Sequence, residues 1–325
     1  LSFCDTVTAS LLMAIALMSD LILHHYWPSP FAHKIRLALG LVDTSWKSVE
    51  IPRVPPKPLL MPLTAGYRRT PVLQNGADIY CDTQNIVGAI SELTATSSLL
   101  PTRQRGQIMA FTDWVDGTVF NLAARVILTS ALDTAPPEFI QDRGGLYFGP
   151  NWTPEGLKAQ LPGVIRQLAA HLDSINQGLS DTGGYLTESL SHADVTIAYM
   201  AWFIRGRWDV GPEFLSQFPS IERIERNVHE QSHDRHEELS AESALMTALQ
   251  AESIAPRGVE AQIGSGLNEG MQVLIRPQAE TSDPPIIGRL RYLDRVRVSI
   301  DHQDPQVSDV VVHLPVAGYQ IQPSD

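Results

Sequence analysis

Cysteine is nearly missing from this sequence. Cys4 and Cys81 are the two present in 325 residues, and neither has a second cysteine in CxxC spacing. That argues against a disulfide-stapled framework and a cysteine zinc site, and it suits a reducing, cytoplasmic compartment. A basic excess is missing too, since 24 Lys and Arg stand against 36 Asp and Glu, a formal charge of −12. This balance argues against nucleic acid or an anionic membrane surface as the main partner. A small anionic ligand stays open, because it answers to local donors rather than to net charge. Long apolar runs are also absent. Leu11 to Leu17 is too short to span a bilayer, and no Lys or Arg precedes it as a secretory signal would require. Residues 1–19 are therefore read as an N-terminal extension, with Met18 the natural start and export the minor alternative.

What the chain does have is order. Its length predicts two or three domains. Leu21–His25 reads as a strand. Ser29 and Pro30 then supply N-cap and first helical position for a helix over 30–39, with Gly40 as its stop. Phe31, Ile35, Ala38 and Leu39 share one face of it. Residues 46–51 predict a second strand. Five prolines between 52 and 62 predict an irregular loop. Val72–Gln74, Asn75-Gly76 and Asp78–Cys81 predict a hairpin, because Asn-Gly favours the tight turn that joins antiparallel strands. Asp82 then caps a helix over 83–93.

Beyond a linker at 97–104 the pattern turns helical. Ile108, Phe111, Val115, Val119, Leu122 and Val126 make 107–131 one long amphipathic segment. Thr153-Pro154-Glu155 opens another helix, and Ser191-His-Ala-Asp194 is a capping box leading into a buried one. Residues 221–252 are highly charged and predict a solvated helical pair. From Gly258 the period becomes two, over 271–276, 286–293, 295–300 and 310–314, which predicts a small barrel of about 65 residues. Residues 256–325 hold 6 basic and 9 acidic side chains, 6 − 9 = −3, which disfavours a nucleic-acid-binding barrel. The fold class expected is thus an α/β thioredoxin-like domain (20–97), an all-α helical bundle domain (104–250) and a small C-terminal β-barrel-like domain (256–325).

Leu21–His25, Tyr26–Gly40 and Arg68–Thr83, with the Ser191-to-Asp194 box and Phe218-Pro-Ser-Ile, resemble the glutathione S-transferase family over about residues 20–240. The final strands lie outside that resemblance. It implies glutathione as co-substrate, a small electrophile as second substrate, no required metal, and a homodimer. Ser29 sits at the first helix start, where backbone N–H groups and the helix dipole stabilise a bound thiolate; it is otherwise an N-cap alone. Tyr26 is the rival hydroxyl, or lines the second pocket, or is simply buried. Thr70-Pro71 is implied to be a cis peptide that turns the Thr70 backbone toward the peptide spine of glutathione. Asp82 and Thr83 are implied to hold the γ-glutamyl end, a role compatible with capping. Lys57 and Arg68 or Arg69 are the cations offered to the glycine carboxylate, against simple solvation.

Other features read as bland. His229, His233 and His236 have helical spacing suited to a metal but lie in a polar stretch. His24 and His25 point to opposite faces of a strand, and Cys81 packs as a small hydrophobe. Trp114, Phe120 and Arg125 are the candidates for the electrophile's wall, against the commoner reading of such residues at helical spacing as core. The leading reading is a glutathione transferase-like enzyme. The alternatives are a non-catalytic transferase-like binding or scaffold protein, and a glutathione-dependent isomerase or dehalogenase.

Overall fold

The computed structural model describes residues 20–181, 184–263 and 266–324. The expectations for residues 1–19 fall outside them. In the first unit β1 (Leu21–His25) runs parallel to β2 (Trp46–Glu50) and antiparallel to β3 (Val72–Asn75), which turns at Gly76 into β4 (Asp78–Cys81). The strand period of two divides the apolar side chains between faces. Leu21 and Leu23 pack with Ile35, Leu39, Ile86 and Ile90 of helices α1 (Pro30–Leu41) and α3 (Thr83–Leu93). Ile22 packs on the other face with Leu63 of the short helix α2 (Met61–Thr64), which interrupts the proline-rich loop. His24 and His25 are fully buried on opposite faces, bonded to Gln74 (2.8 Å) and Ser48 (3.1 Å) respectively. Helix α1 runs two residues past its expected end. Gly40 does not stop it; it admits the chain at 232–233, since a Cβ there would lie 2.1 Å from Ser232 Oγ.

The long helical segment is present as α4 (Arg105–Trp114), a π turn (Val115–Val119) and α5 (Phe120–Ala131). Helices α6 (Pro137–Phe148), α7 (Pro154–Asp181), α8 (His192–Arg207), α9 (Gly211–Leu215) and α10 (Pro219–Gln231) complete the bundle. The capping box opens α8 as expected, with both Ser191 and Asp194 bonds made. Apolar residues lie all round α8, and it is buried accordingly. No helix among the described residues is long and apolar enough to cross a membrane.

The expected helical pair over 221–252 forms as two helices, but a strand separates them and each buries one face. Helix α10 ends at Gln231, and His236–Glu238 adds a short strand, β5, to the free edge of β2. Its edge position lets acidic side chains stay in water while the backbone bonds are satisfied. Helix α11 (Ala241–Gln250) then buries Ala244, Leu245 and Ala248 beneath the sheet.

The strand-rich C-terminal part is present, and its pairing adds to the sequence reading. After the two-residue β6 (Gly258–Val259) come β7 (Gln272–Pro277), β8 (Ile286–Leu293), β9 (Arg297–Asp304), β10 (Ser308–Pro315) and β11 (Tyr319–Pro323). Rather than closing as a barrel of its own, the ladder runs β11-β7-β8-β9-β10 and continues through β4 into the first unit, forming one sheet. The join is parallel, Val311 opposite Asp78 and His313 opposite Tyr80. A buried polar seam locks it: His313 bridges Asp78 (3.0 Å) and Ser299 (2.8 Å), and Ser253 donates to Asp78 (2.5 Å). Burial acts to raise the Asp78 carboxyl, but the bonds from His313 and Ser253 outweigh it and hold it below its ordinary value. Although Ser, His and Asp meet here, exposures of 0, 1 and 2 % keep any substrate away. The arrangement is a joint.

Candidate functional site

The eight site residues expected from sequence line a single cleft of about 250 Å³: Tyr26, Ser29, Lys57, Arg69, Thr70, Pro71, Asp82 and Thr83. Three segments of the first unit bring them there. The β1–α1 junction places Tyr26 and Ser29, the cis Thr70-Pro71 bond leads into β3, and Asp82 and Thr83 start α3.

Ser29 Oγ accepts from the Ala32 N–H at 3.2 Å, so it is an N-cap in fact. Its own O–H remains available as a donor. Tyr26 is held from another direction: Arg143 of α6 donates Nη2 to the phenol oxygen at 3.0 Å. A guanidinium cannot accept, so the Tyr26 proton is likewise available to a third group. Two hydroxyls with donors to spare therefore flank one end of the cleft.

Lys57 is buried, and its Nζ donates to the Arg68 carbonyl (2.8 Å) and to Thr70 Oγ1 (2.9 Å). Burial first, then repulsion from Arg143, lowers this ammonium to about 8, with Asp142 opposing. Among the described residues no carboxylate forms an ion pair with it. Arg68 and Arg69 differ. Arg68 meets Asp142 (2.6 Å) and Asp283 (3.1 Å), while Arg69 Nε meets Asp283 (2.7 Å). Of the cations offered to a ligand carboxylate, Lys57 is the one still wanting an anion.

Asp82 has φ +70°, a conformation rare for a residue other than glycine. Such an outlier persists only where its surroundings hold it, and that is common at ligand sites. Here Oδ1 accepts from the Gln84 N–H (3.0 Å) and Oδ2 from the Tyr319 hydroxyl (3.0 Å). Thr83 is buried beside it at the first position of α3.

Comparison with known proteins follows this geometry. Residues 23–98 match the family model for the glutathione S-transferase N-terminal domain. A GST-like protein from Pseudomonas syringae, of known crystal structure, is 30% identical, with a TM-score of 0.73, over 94% of this chain and 100% of that one. The chain belongs to the glutathione S-transferase family. Glutathione S-transferase U22 of Arabidopsis thaliana is 29% identical over 127 residues, 38% of this chain and 58% of the plant protein. A probable glutathione S-transferase, parA, of Nicotiana tabacum is 27% identical over 128 residues, with the same coverage. The chain thus spans little more than half the length of these curated relatives. A glutathione S-transferase structure from Methylobacillus flagellatus, with glutathione bound, shares the fold at 18% identity and a TM-score of 0.50, covering 66% of this chain and 100% of that one. The likeness to the Pseudomonas protein extends further along the chain than this.

In this transferase-family chain Trp114, Phe120 and Arg125 do not line the cleft. Trp114 packs on Phe111 and His171, and Arg125 bonds Asn121 and covers Phe148. Phe120 sits one layer back, its ring against Phe31 and Tyr147, which do line the cleft. The face that α4 and the π turn present is Asp113, Asp116 and Gly117. A π turn takes more residues per revolution, so those following it are rotated off the helical phase read from sequence. Asp116 is partly buried, its side chain 12 % exposed, paired with Lys34 of α1 and accepting from Tyr199 (2.6 Å). Burial raises its carboxyl and Lys34 opposes.

Sequence reasoning missed Arg143, Tyr147, Asp283 and Tyr319 as members of this neighbourhood. One signal was present: Gly144-Gly145 inside a helix marks close packing, and a Cβ on Gly144 would fall 1.9 Å from Trp152. Among the described residues no cluster of three His, Cys, Asp or Glu is arranged for a metal. His229 instead meets His33 at 3.0 Å, while His233 and His236 lie beyond the end of α10. Cys81 is fully buried in the core, and burial, then the Asp82 charge, pushes its thiol well up.

Proposed function

We propose that this chain is a glutathione-dependent transferase that activates the tripeptide's thiol for attack on a small electrophile. The reading rests on the eight-residue cleft, above all on a buried ammonium with no carboxylate partner among the described residues, beside the Thr70-Pro71 junction and two hydroxyls with donors to spare. Lys57 receives the glycine carboxylate. The Thr70 backbone pairs with the peptide spine, and Asp82 and Thr83 hold the γ-glutamyl ammonium and carboxylate. The sulfur rests against Ser29, with Tyr26 as the second donor.

Each unit by which the bound thiol's pKa falls is about 1.4 kcal/mol of preference for the thiolate. The thiol proton leaves to solvent. The thiolate lone pair then forms a carbon–sulfur bond while the bond from that carbon to the leaving group breaks, its electron pair going with the leaving group. Holding both reactants in one cleft supplies the rest. The reading carries with it a homodimer and a cytoplasmic location, where glutathione is abundant.

Glutathione-agarose retention with conjugation of an aromatic halide tests it. Wild type is expected to be retained and to turn over. Ser29→Ala is expected to be retained with a rate lower by about 10²-fold, the scale of losing one preorganised donor to a developing anion. Loss in Tyr26→Phe instead moves the role to Tyr26. Failure of wild type to bind leaves the scaffold alternative. Sedimentation at twice 35.8 kDa is the expected result for the dimer.

A further inference from the structure

We infer that the C-terminal strands form a wall of the ligand site, with Tyr319 as the positioning residue that aims Asp82 at the ligand's amine. The inference rests on the reading just given for Asp82 and assigns a task to a part of the chain for which that reading has none.

Tyr319 opens β11 and pairs with Pro277 at the end of β7, and Gln278 N donates to the Gly318 carbonyl at 2.8 Å. The corner is therefore braced by backbone bonds. From it the Tyr319 hydroxyl reaches Asp82 Oδ2, while Gln84 N–H takes Oδ1. A carboxylate offers about four acceptor positions. With one used on each oxygen, its plane is pinned and the remaining positions are left for a cation in the cleft. Burial, then the Asp82 charge, pushes the Tyr319 phenol well above its ordinary value, so it stays a donor at any working pH. Ala317 and Gly318 line the cleft next to it, bringing backbone close to where the amine would sit.

A second grip lies beside the first. Asp283, in the β7–β8 loop, binds both Arg68 and Arg69, the two residues before Thr70, and Ser282 N donates to the Gly145 carbonyl of α6 (3.1 Å). One module thus touches two of the segments that build the proposed tripeptide site, at Asp82 and at Arg68-Arg69. The polar seam at Asp78 already joins that module to the sheet, so these rim contacts are not needed for attachment.

The test is calorimetric titration of the full chain with S-methylglutathione and with its N-acetyl derivative, in wild type, Tyr319→Phe, Asp82→Ala and the double variant. Tyr319→Phe removes one oxygen and keeps the ring. It should weaken S-methylglutathione about tenfold, leave the N-acetyl derivative's weaker binding unchanged, and add nothing in the Asp82→Ala background. Equal affinities for S-methylglutathione in wild type and Tyr319→Phe overturn the inference alone. So does an equal loss for both probes, or a variant that no longer folds, since the hydroxyl would then be structural. No binding by wild type overturns the functional reading and this inference with it.

Discussion

Lys57 carries the sharpest pH expectation. Burial lowers its ammonium to about 8, below the ordinary 10.5, and a bound carboxylate would draw it back up. Ligand affinity should then be full below pH 8 and fall as pH rises through 8. Titrating S-methylglutathione, which has no thiol to confuse the profile, from pH 6.5 to 9.5 checks this. Lys57→Met should bind about tenfold more weakly and lose that part of the pH dependence; matching profiles would remove Lys57 from the site. The buried histidines give an expectation for stability. Burial lowers His24 to about 4, His25 to about 3 and His33 to about 2, the last two also repelled by Arg36. Unfolded, each takes its proton near 6.5, so below that pH the unfolded chain binds more protons and stability falls with pH. The three together contribute about 4 kcal/mol per pH unit in that window. Urea midpoints at pH 7 and 5.5 should differ strongly, and equal midpoints would contradict the burial.

Helix α1 meets the bundle through apolar packing of Phe31, Leu37 and Leu41 and through one ion pair. Lys34 is fully buried against Asp116, and Tyr199 holds the other oxygen. Lys34→Met would leave the Asp116 carboxylate, partly buried at the cleft wall, without its cation, at a cost below the roughly 3–5 kcal/mol of a fully buried pair. The paired replacement Lys34→Met with Asp116→Leu should recover most of that, because an apolar pair of similar volume carries no desolvation penalty. Urea unfolding of the single and double variants measures both. A mild single variant would mean Asp116 finds water or another cation. Because Asp116 also lines the cleft, the pair links the packing of α1, whose N-cap is Ser29, to the wall facing it.

For the entire chain, the shared sheet sets the unfolding behaviour. Strand β10 lies between β4 and β9, and its residues Val310, Val312 and Leu314 share a core with Ile22, Ile79 and Ala244. The C-terminal strands should therefore not melt as a unit of their own. Tryptophan fluorescence reports the first 208 residues, which hold every Trp in the chain, and far-ultraviolet dichroism reports all parts. Coincident transitions by the two probes are expected. A separate transition for the strands would make them an independent domain.

Much of the proposed site is legible along the chain because its determinants are local. Ser29 caps three residues ahead, Asp82 two residues ahead, and Asn75-Gly76 closes its own hairpin, so each signal and its partner lie within one reading window. The strands of the final third declare themselves by alternation for the same reason. Which edge a strand joins is not written in its period. The unbroken run from Val310 to Leu314, buried throughout, was the one hint that β10 is covered on both faces and so interior to a sheet. Arg143 reaches Tyr26 across 117 positions, Asp283 reaches Arg69 across 214 and Tyr319 reaches Asp82 across 237. A lone Arg, Asp or Tyr on a loop or helix end looks the same whether it meets water or a partner. Caps, turns and periodicity arise between neighbours in the chain, and so can be read there; these meetings exist only once the sheet has brought distant segments to a common rim.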